Sequence, residues 1–327
     1  MTQRGSDRKL IVVKRKTRLE ELIVRYNTVQ QAKFYIERLG ADFEEYAAED
    51  EQYRSSLKAA VQSLEASGRV QVLDRSHVPN FIFGAEDTVV VVGQDGLVAN
   101  TLKYLNAQPL IGVNPDPLRY EGVLLPFTVK DLPVIVRDVL QERRTVREVT
   151  LAMARLNDGQ VLYGVNDLFV GRRTHVSARY ELKQADTGER QSSSGVIVST
   201  GLGSTGWLRS VLAGAAGIVR GSQRLASGGG NPEGRGTQHS PASPGGFTLP
   251  WDAPELLYSV REPFPTQTTG ASMVFGSVDA RRPLRIVSQM PEDGVIFSDG
   301  VESDYLEFNA GVEAWIGPAD KRGRLVV

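Results

Sequence analysis

Cysteine is absent from this chain of 327 residues, and only three histidines occur. Without thiols the chain has no disulfide, no cysteine nucleophile and no cysteine-based metal site, and three scattered histidines disfavour a histidine-rich zinc site. No apolar run approaches the roughly 18 residues of a membrane-spanning helix. A formal net charge of −1 gives no field for nucleic acid or an anionic membrane. We therefore expect a soluble, cytoplasmic protein that binds neither nucleic acid nor membrane.

Two domains are expected from the length of the chain and from a change in the pattern of strand-like and helical segments along it. Strand-like and helical segments alternate in residues 1–143, which predicts an α/β domain with a Rossmann-like parallel sheet. Short strand-like runs dominate residues 144–327 and predict a mostly β sandwich domain. Residues 221–246 are rich in Gly, Ser and Pro and predict a disordered insertion in the second domain.

The first domain contains a strand that leads directly into a helix. Four consecutive valines, Val89–Val92, predict a strand buried on both faces, and the apolar spacing after Leu97 predicts a helix. The turn between them, Gly93–Gly96, would present backbone N–H groups at a helix N-terminus, where phosphate binds readily. The same turn holds an acid, Asp95, which would repel phosphate unless it binds metal or accepts a proton. This conflict is the first indication of function.

Two further features of the first domain carry expectations. Residues 109–113 predict a strand that ends at Asn114-Pro115-Asp116-Pro117, which places polar groups, Asn114 among them, at the sheet edge where ligands bind in open α/β sheets. Nearer the N-terminus, apolar residues from Leu19 to Leu39 recur at three- and four-residue steps. This spacing predicts one long amphipathic helix that ends near Gly40.

A second glycine-rich turn, Ser199–Trp207, lies in the predicted β domain. It follows a strand and opens a helix, and it contains hydroxyl groups at Ser199, Thr200, Ser204 and Thr205. Hydroxyls and backbone N–H groups can bind phosphate or ribose oxygens without adding charge, although a cluster of helix-capping residues has the same composition. Both interpretations remain open at this point.

Two short polar pairs complete the set of candidate positions. Asn166-Asp167 stands at the start of a predicted strand, where an amide and a carboxylate could hold ribose hydroxyls, although a turn is the commoner role. Asp299-Gly300 follows an apolar run and is most simply a turn.

Taken in order, these segments resemble the NAD kinases. The family pattern is a Gly-Gly-Asp-Gly turn, an Asn-Glu pair, a segment like Ser-Thr-Pro-Thr-Gly-Ser-Thr-Ala-Tyr, and a late Asp-Gly. The matching segments are Gly93–Gly96, Asn166-Asp167, Ser199–Trp207 and Asp299-Gly300. The likeness is closer to the mitochondrial NAD kinase branch, through Leu110–Pro117, Glu121-Gly122 and Tyr258–Pro263. It covers about Lys9 to Gly317 without the predicted insertion.

The resemblance implies a phosphotransferase of the EC 2.7.1 class that uses ATP or another phosphate donor, with Mg²⁺, to convert NAD into NADP. It implies an α/β domain followed by a β domain, and a homo-oligomer, either dimer or tetramer. Asp95 would accept the proton of the adenosine ribose 2′-hydroxyl, in line with the needs of phosphoryl transfer. The implied nucleotide-binding residues are Gly93 and Gly96 at the phosphate turn, Asn166 and Asp167 at a ribose or nicotinamide portion, and Thr205, Trp207 and Ser210 at an adenosine moiety.

Several positions depart from the family pattern. Gln94 replaces the second glycine, Leu97 a threonine, Ser194 an aspartate, Leu202 a threonine or serine, and Gly206-Trp207 an Ala-Tyr pair. Two alternatives therefore stay open. The chain could phosphorylate a lipid or sugar hydroxyl, because the Gly-x-Asp-Gly turn also occurs in lipid kinases. It could also be a nucleotide-binding relative that has lost catalysis.

Overall fold

A computed structural model of the chain describes residues 8–226 and 248–327. The chain forms two compact units. The first comprises the residues up to Glu148 together with Gly323–Val327, and the second comprises Val149–Arg322. The chain therefore returns to its first unit at the C-terminus, a feature that no sequence pattern indicated.

The first unit is built on a parallel sheet with the order β2-β1-β3-β4, in which β5 also pairs with β4. Its strands are β1 (Lys9–Lys14), β2 (Arg69–Asp74), β3 (Thr88–Val92), β4 (Leu110–Asn114) and β5 (Phe127–Thr128). Every residue of β3 and of β4 is buried. This confirms the strand predicted from the four valines, since a parallel sheet covered on both faces selects continuous apolar runs.

Helices of the first unit are α1 (Arg18–Tyr26), α2 (Val29–Arg38), α3 (Phe43–Glu65), α4 (Asp95–Leu102) and α5 (Leu132–Leu140). The prediction of one long helix over Leu19–Leu39 is wrong. Asn27 adopts a left-handed backbone with φ of 66°, and the Thr28 hydroxyl accepts the N–H of Gln31 to cap a new helix. Asparagine is one of the few residues that takes this conformation readily, so Asn27-Thr28 is a stop followed by a start.

The second unit is a sandwich of antiparallel layers, as predicted. Its strands are β6 (Val146–Leu156, which begins in the first unit), β7 (Val161–Gly164), β8 (Asp167–Arg172), β9 (Ala178–Gln184), β10 (Thr187–Ser193), β11 (Val196–Ser199), β12 (Leu256–Val260), β13 (Phe275–Val278), β14 (Leu284–Ser288), β15 (Gly294–Ser298), β16 (Val301–Glu307) and β17 (Glu313–Val326, which ends in the first unit). One layer has the order β13-β12-β11-β8-β15-β16. Apolar residues of this layer, such as Leu168 and Ile296, share a core with Tyr180 of β9 and Ile286 of β14.

Helix α6 (Trp207–Ala226) follows β11 in the second unit. Its last six residues, 221–226, are helical, whereas the disordered insertion was predicted to begin at residue 221. The rest of that predicted insertion, residues 227–246, lies outside the described residues. Within the described part of the chain, no helix is both long enough and apolar enough to cross a membrane.

Strand direction in the six-stranded layer explains how separate motifs meet. Strand β8 lies between β11 and β15 and runs antiparallel to both. Asp167 at the start of β8 pairs with Ser199 at the end of β11, and Leu168 pairs with Ser298 at the end of β15. One end of this layer therefore collects three chain segments that are far apart in sequence.

Candidate active site

The turn after β3 has the strand-turn-helix form that the sequence predicts. The Gly93 N–H donates to the carbonyl of Val113, and α4 begins at Asp95. The N–H groups of Leu97 and Val98 donate to the Gln94 carbonyl, which leaves the earlier N–H groups of Asp95 and Gly96 as the ones that an anion could bind. A Cβ built on Gly96 would meet nothing within 4 Å, so the space above this glycine is open. The geometry suits the approach of a phosphate.

Asp95 is held by a backbone contact rather than by a cation. Its Oδ1 accepts the N–H of Leu124 at 2.7 Å, and the residue is partly exposed. The segment that carries Leu124 crosses β4 at Gly112, where an added Cβ would lie 2.0 Å from the Leu124 carbonyl oxygen. Gly112 therefore permits the close approach that orients the carboxylate. The negative charge at the N-terminus of α4 is also favourable for the helix.

Asn114 lies at the end of β4, the strand that pairs with β3, and so at the same sheet edge as Gly93. The side-chain amide of Asn114 forms hydrogen bonds within its own loop. The Nδ2 group donates to the Tyr120 carbonyl at 2.9 Å, and Oδ1 accepts the Asp116 N–H at 3.0 Å. The side chain is 5% exposed. Asn114 thus shapes the loop beside the turn.

The second glycine-rich turn interlocks with the Asn166-Asp167 pair in the second unit. The Thr200 N–H donates to the Asn166 carbonyl at 2.9 Å, and the Thr200 hydroxyl donates to the Val165 carbonyl at 2.6 Å. The same hydroxyl accepts the Gly203 N–H at 3.1 Å. Thr200 is fully buried. Two motifs separated by more than thirty residues therefore form one hydrogen-bonded structure.

Asp299 completes this arrangement from the end of β15. Its carboxylate accepts the backbone N–H groups of Val165, Asn166 and Asp167, the shortest at 2.6 Å from Asn166. The Asp299 N–H donates back to the Asp167 carbonyl at 3.1 Å. Asp299 itself has a left-handed backbone with φ of 54°. The sequence suggested only a turn here, but the structure shows a carboxylate bound by three consecutive N–H groups.

Asp167 is a buried carboxyl group, and its residue is 6% exposed. Burial, and then the negative charge of Asp299, raise the pKa of Asp167 to about 7. Burial disfavours the charged form of an acid, and a like charge nearby adds to this effect. A carboxyl group with a pKa near neutrality can either donate or accept a hydrogen bond at physiological pH.

The hydroxyl-bearing residues of the second turn differ in their access to solvent. Ser204 is buried, and its hydroxyl donates to the Gly201 carbonyl at 2.6 Å. Thr205 and Ser210 are exposed, and their hydroxyls donate to the carbonyls of Leu202 and Gly206. Ser204 therefore supports the turn from inside, while Thr205 and Ser210 remain accessible to a ligand.

Trp207 lines a cavity of about 330 Å³ in the second unit. The indole stacks on Phe169 with ring centroids 5.7 Å apart, and Phe169 stacks on Phe297 at 4.8 Å. The guanidinium of Arg261 lies 5.5 Å from the centre of the Trp207 ring. Arg172 also lines the cavity, within 3.6 Å of the Asp293 carboxylate. Aromatic walls with a basic rim suit a planar ring that carries negative charge.

Three positions that depart from the family pattern have clear surroundings. Gln94 has φ of −124° and ψ of 163°, an extended conformation open to any residue, and its side chain makes no capping hydrogen bond. Leu97 is 4% exposed and its Cδ2 would lie 2.8 Å from a Cβ at position 93, so this side chain covers Gly93. Ser194 is exposed and lines the cavity beside Trp207.

Sequence reasoning found the turn residues but missed the residues that hold them. Thr200 was treated only as one of several hydroxyls, although it joins two motifs. Phe169, Phe297 and Arg261 were not singled out, because their role comes from packing between distant strands. The hydrogen bonds of Asp299 could not be predicted, because the sequence does not show that β8 pairs with β15.

Comparison with known proteins adds sequence and fold relationships. No model of a known protein family matches the chain. A curated relative from Oryza sativa subsp. japonica, a probable NADH kinase, is 26% identical over 238 residues, which is 65% of this chain and 63% of that protein. The match thus spans a little under two thirds of the relative's length.

Two solved structures share the fold. An NAD kinase from Archaeoglobus fulgidus in complex with ATP has a TM-score of 0.53 at 16% identity, with 98% of this chain and 93% of that chain covered. Yeast NADH kinase complexed with NADH has a TM-score of 0.52 at 14% identity, with 98% of this chain and 83% of that chain covered. Both agree with an α/β unit followed by a mostly β unit.

Proposed function

We propose that this chain is a member of the NAD kinase family and that it transfers a phosphoryl group to the adenosine ribose 2′-hydroxyl of NAD or NADH. The product would be NADP or NADPH, and the donor ATP or another phosphate compound. The observation that carries the proposal is the Asp95 carboxylate, which is partly exposed at the start of α4 beside an open glycine turn.

The proposed reaction needs little covalent help from the protein. The 2′-hydroxyl oxygen attacks the terminal phosphorus of the donor, the bond from that phosphorus to the leaving phosphate oxygen breaks, and Asp95 takes the hydroxyl proton. The protein must align the donor with the acceptor and must place a base within hydrogen-bond reach of the hydroxyl. The Leu124 N–H on Oδ1 fixes the carboxylate, which leaves the other oxygen for the proton.

The second unit would bind the dinucleotide. Asn166 and Asp167 would hold a ribose or nicotinamide portion, on a turn that Thr200 and Asp299 keep in place. Trp207 would stack on a base, with Thr205 and Ser210 on the same exposed segment. The adjacent arginines of the cavity would favour the phosphates of the dinucleotide over a neutral ligand.

Magnesium is implied by the family rather than by a preformed site. Within the described residues, no group of three or more His, Cys, Asp or Glu side chains could hold a metal ion. Mg²⁺ is commonly bound by one or two carboxylates together with substrate phosphates, so the bound nucleotides would supply part of its coordination. When bound, the ion would neutralise charge on the transferred phosphoryl group.

The choice between oxidised and reduced acceptor is open to a direct test. The rice relative is a probable NADH kinase and the yeast neighbour is an NADH kinase with NADH bound. The archaeal neighbour is an NAD kinase with ATP bound. Both NAD and NADH should therefore be assayed as acceptors.

A second candidate is a nucleotide-binding protein without catalysis. It is favoured by Leu97, whose apolar side chain covers Gly93 in the phosphate turn. This candidate predicts that NAD binds, as measured by calorimetry, while no donor gives NADP.

A matrix of donors against acceptors on the purified protein tests the proposal. ATP, other nucleoside triphosphates and polyphosphate would be combined with NAD, NADH, a sugar and a lipid acceptor, each with Mg²⁺. Formation of NADP or NADPH supports the proposal. Phosphorylation of the sugar or lipid alone, or no product from any pair, would contradict it.

A further inference from the structure

The sheet of the first unit has a topological switch point between β1 and β3. From β1 the chain crosses to β2 on one side, and from β3 it crosses to β4 on the other side. Ligands of open α/β sheets bind at the carboxyl ends of the strands at such a point. Strand β3 leads directly into Gly93–Gly96, so the proposed phosphate turn lies at the switch point.

The hydroxyl of Tyr53, a residue of α3, bridges the ends of these two strands. It accepts the Arg15 N–H at 3.0 Å and donates to the Val92 carbonyl at 3.0 Å. Tyr53 is 3% exposed, and burial raises the pKa of its phenol to about 12, so the hydroxyl remains a donor at neutral pH. The peptide between Val92 and Gly93 is bonded at both groups, because the Gly93 N–H donates to the Val113 carbonyl. The entry to the phosphate turn is therefore fixed.

An ion pair anchors this part of α3 to the end of β1. Glu49 is 2% exposed, and its carboxylate accepts hydrogen bonds from the Arg15 guanidinium and from the Arg18 N–H. The Arg15 guanidinium also lies over the Tyr53 ring, 4.9 Å from its centre. These contacts fix the position of the ring, and so the hydroxyl of Tyr53 stays between the two strand ends.

The same face of α3 also bonds to the end of β4. Gln52 Nε2 and the Ser56 hydroxyl both donate to the Pro115 carbonyl, each at 2.9 Å. Positions 52, 53 and 56 share a face because helical residues three and four apart lie side by side. Pro115 begins the loop that leads to Leu124, whose N–H binds the Asp95 carboxylate. Helix α3 therefore contacts both segments that set the position of this carboxylate.

We propose that α3 positions the phosphate turn and the Asp95 carboxylate through Gln52, Tyr53 and Ser56, which bond to the carboxyl ends of β3 and β4. The three side chains are positioning residues, since they act through the backbone of Val92 and Pro115. Their effect on catalysis rests on the proposed function, in which Asp95 is the base. A reacting group displaced by about 1 Å can lose on the order of 100-fold in rate.

The kinetic test removes the Tyr53 hydroxyl and keeps its ring. Tyr53→Phe leaves the buried Val92 carbonyl without its donor, so the turn after it is free to shift. We expect kcat for NADP formation to fall by about 10- to 100-fold. The KM for NAD should change by less than about twofold, because the proposed dinucleotide contacts lie in the second unit.

Tyr46→Phe is the matched control for this substitution. Tyr46 lies earlier in the same helix, where its ring packs against Arg18 with 4.5 Å between the guanidinium carbon and the ring centre. The variant makes the same chemical change without a bond to a strand end. It should keep the wild-type kcat and KM, and an equal loss of kcat in this control would overturn the inference.

Amide hydrogen exchange gives a readout that does not depend on activity. In Tyr53→Phe the Gly93 amide should exchange about tenfold faster or more than in wild type, because its peptide loses one of two bonds. The amide of Val12, in the middle of β1, should change much less. A substitution that only lowers global stability has the opposite pattern, since buried strands open by global unfolding.

The second contact is tested by the double variant Gln52→Ala/Ser56→Ala. Both side chains are exposed or half-buried, so their removal should leave the fold intact. The double variant should lower kcat severalfold and should speed exchange of the Leu124 amide, because the loop that carries it is no longer held at Pro115. Each single variant keeps one donor to Pro115 and should have the smaller effect. If Tyr53→Phe does not fold, the double variant decides, and a wild-type kcat with unchanged Leu124 exchange would overturn the inference.

Failure of this inference is distinguishable from failure of the proposed function. If wild type forms no NADP or NADPH with any donor, the proposed function fails, and exchange at Gly93 and Leu124 still decides whether α3 holds the two segments. If wild type is active and a folded Tyr53→Phe keeps both the wild-type kcat and the wild-type exchange at Gly93, the inference is wrong and the proposed function stands.

Discussion

The carbonyl oxygen of Asn166 lies 1.9 Å from the position that a Cβ at residue 203 would occupy. Only glycine allows these two motifs to meet, because a backbone carbonyl cannot move aside as a side-chain tip can. We expect Gly203→Ala to destabilise the second unit by about 1–3 kcal/mol or more, as overpacking usually does. NAD binding should weaken with it. Thermal unfolding and calorimetry measure the two effects.

The matched control for that substitution is Gly214→Ala. Gly214 lies in α6, and a Cβ there would meet nothing within 4 Å. Alanine in a helix is favoured over glycine by roughly 0.5–1 kcal/mol, so this variant should be as stable as wild type or more stable. Equal stability of the two alanine variants would show that the contact between Asn166 and Gly203 is not a constraint.

Trp207 should report ligand binding in the cavity of the second unit. Stacking of a base on an aromatic side chain contributes about 1–3 kcal/mol, so Trp207→Ala should raise the Kd for NAD by about 10- to 100-fold. Added NAD should quench the fluorescence of wild type and of Trp315→Phe, but not of Trp207→Phe. Trp315 is a suitable control because it lies on β17, packs against Arg285 of β14 and does not line this cavity. Unchanged quenching in Trp207→Phe would place the ligand elsewhere.

Asp167 should make stability depend on pH. Its pKa is about 7 in the folded protein and near its ordinary value of 3.8 in the unfolded chain, because burial and Asp299 act only on the folded state. The folded chain therefore binds more protons between these values, and stability falls as pH rises from about 4 to about 7. Asparagine does not ionise, so the Tm advantage of Asp167→Asn over wild type should grow across this window and then level off. A Tm difference that stays constant with pH would contradict the assigned pKa.

The Gln94→Gly variant tests whether glutamine at this position of the phosphate turn, where the family has glycine, lowers the reaction rate. Its extended backbone imposes no strain, so Gln94→Gly should change stability by only a few tenths of a kcal/mol. If close approach of phosphate to the backbone limits the rate, removal of the Cβ should raise kcat several-fold. Gln94→Ala shortens the side chain but keeps the Cβ, so it should not reproduce the gain. A lower rate in Gln94→Gly would show that the glutamine takes part in the reaction.

Local patterns predicted the elements near the turns. The run of four valines predicted β3, and the glycine turn predicted the start of α4. Both features depend on residues that are neighbours in sequence. The helix break at Asn27-Thr28 was missed, although its capping residues were visible. There the apolar periodicity on both sides outweighed two local signals that mark a stop and a start.

Contacts between distant strands could not be predicted in this way. Asp299 looked like a turn residue because its partners, Val165 to Asp167, are more than a hundred positions away and become neighbours only through the order β11-β8-β15. The return of the last five residues to the first unit has the same cause. The role of Leu97 over Gly93 depends on a side-chain rotamer, which composition and spacing do not specify.

Phosphorylation of NAD or NADH by the Asp95→Asn variant tests the central claim most directly. With the most active donor and acceptor of the wild type, we expect the variant to lose roughly 10²–10⁴-fold in kcat, because the proton of the 2′-hydroxyl would have no acceptor. The Oδ1 contact with Leu124 can persist in asparagine, so stability and NAD binding should stay near wild type. A variant that forms NADP at the wild-type rate would contradict the assignment of Asp95 as the base.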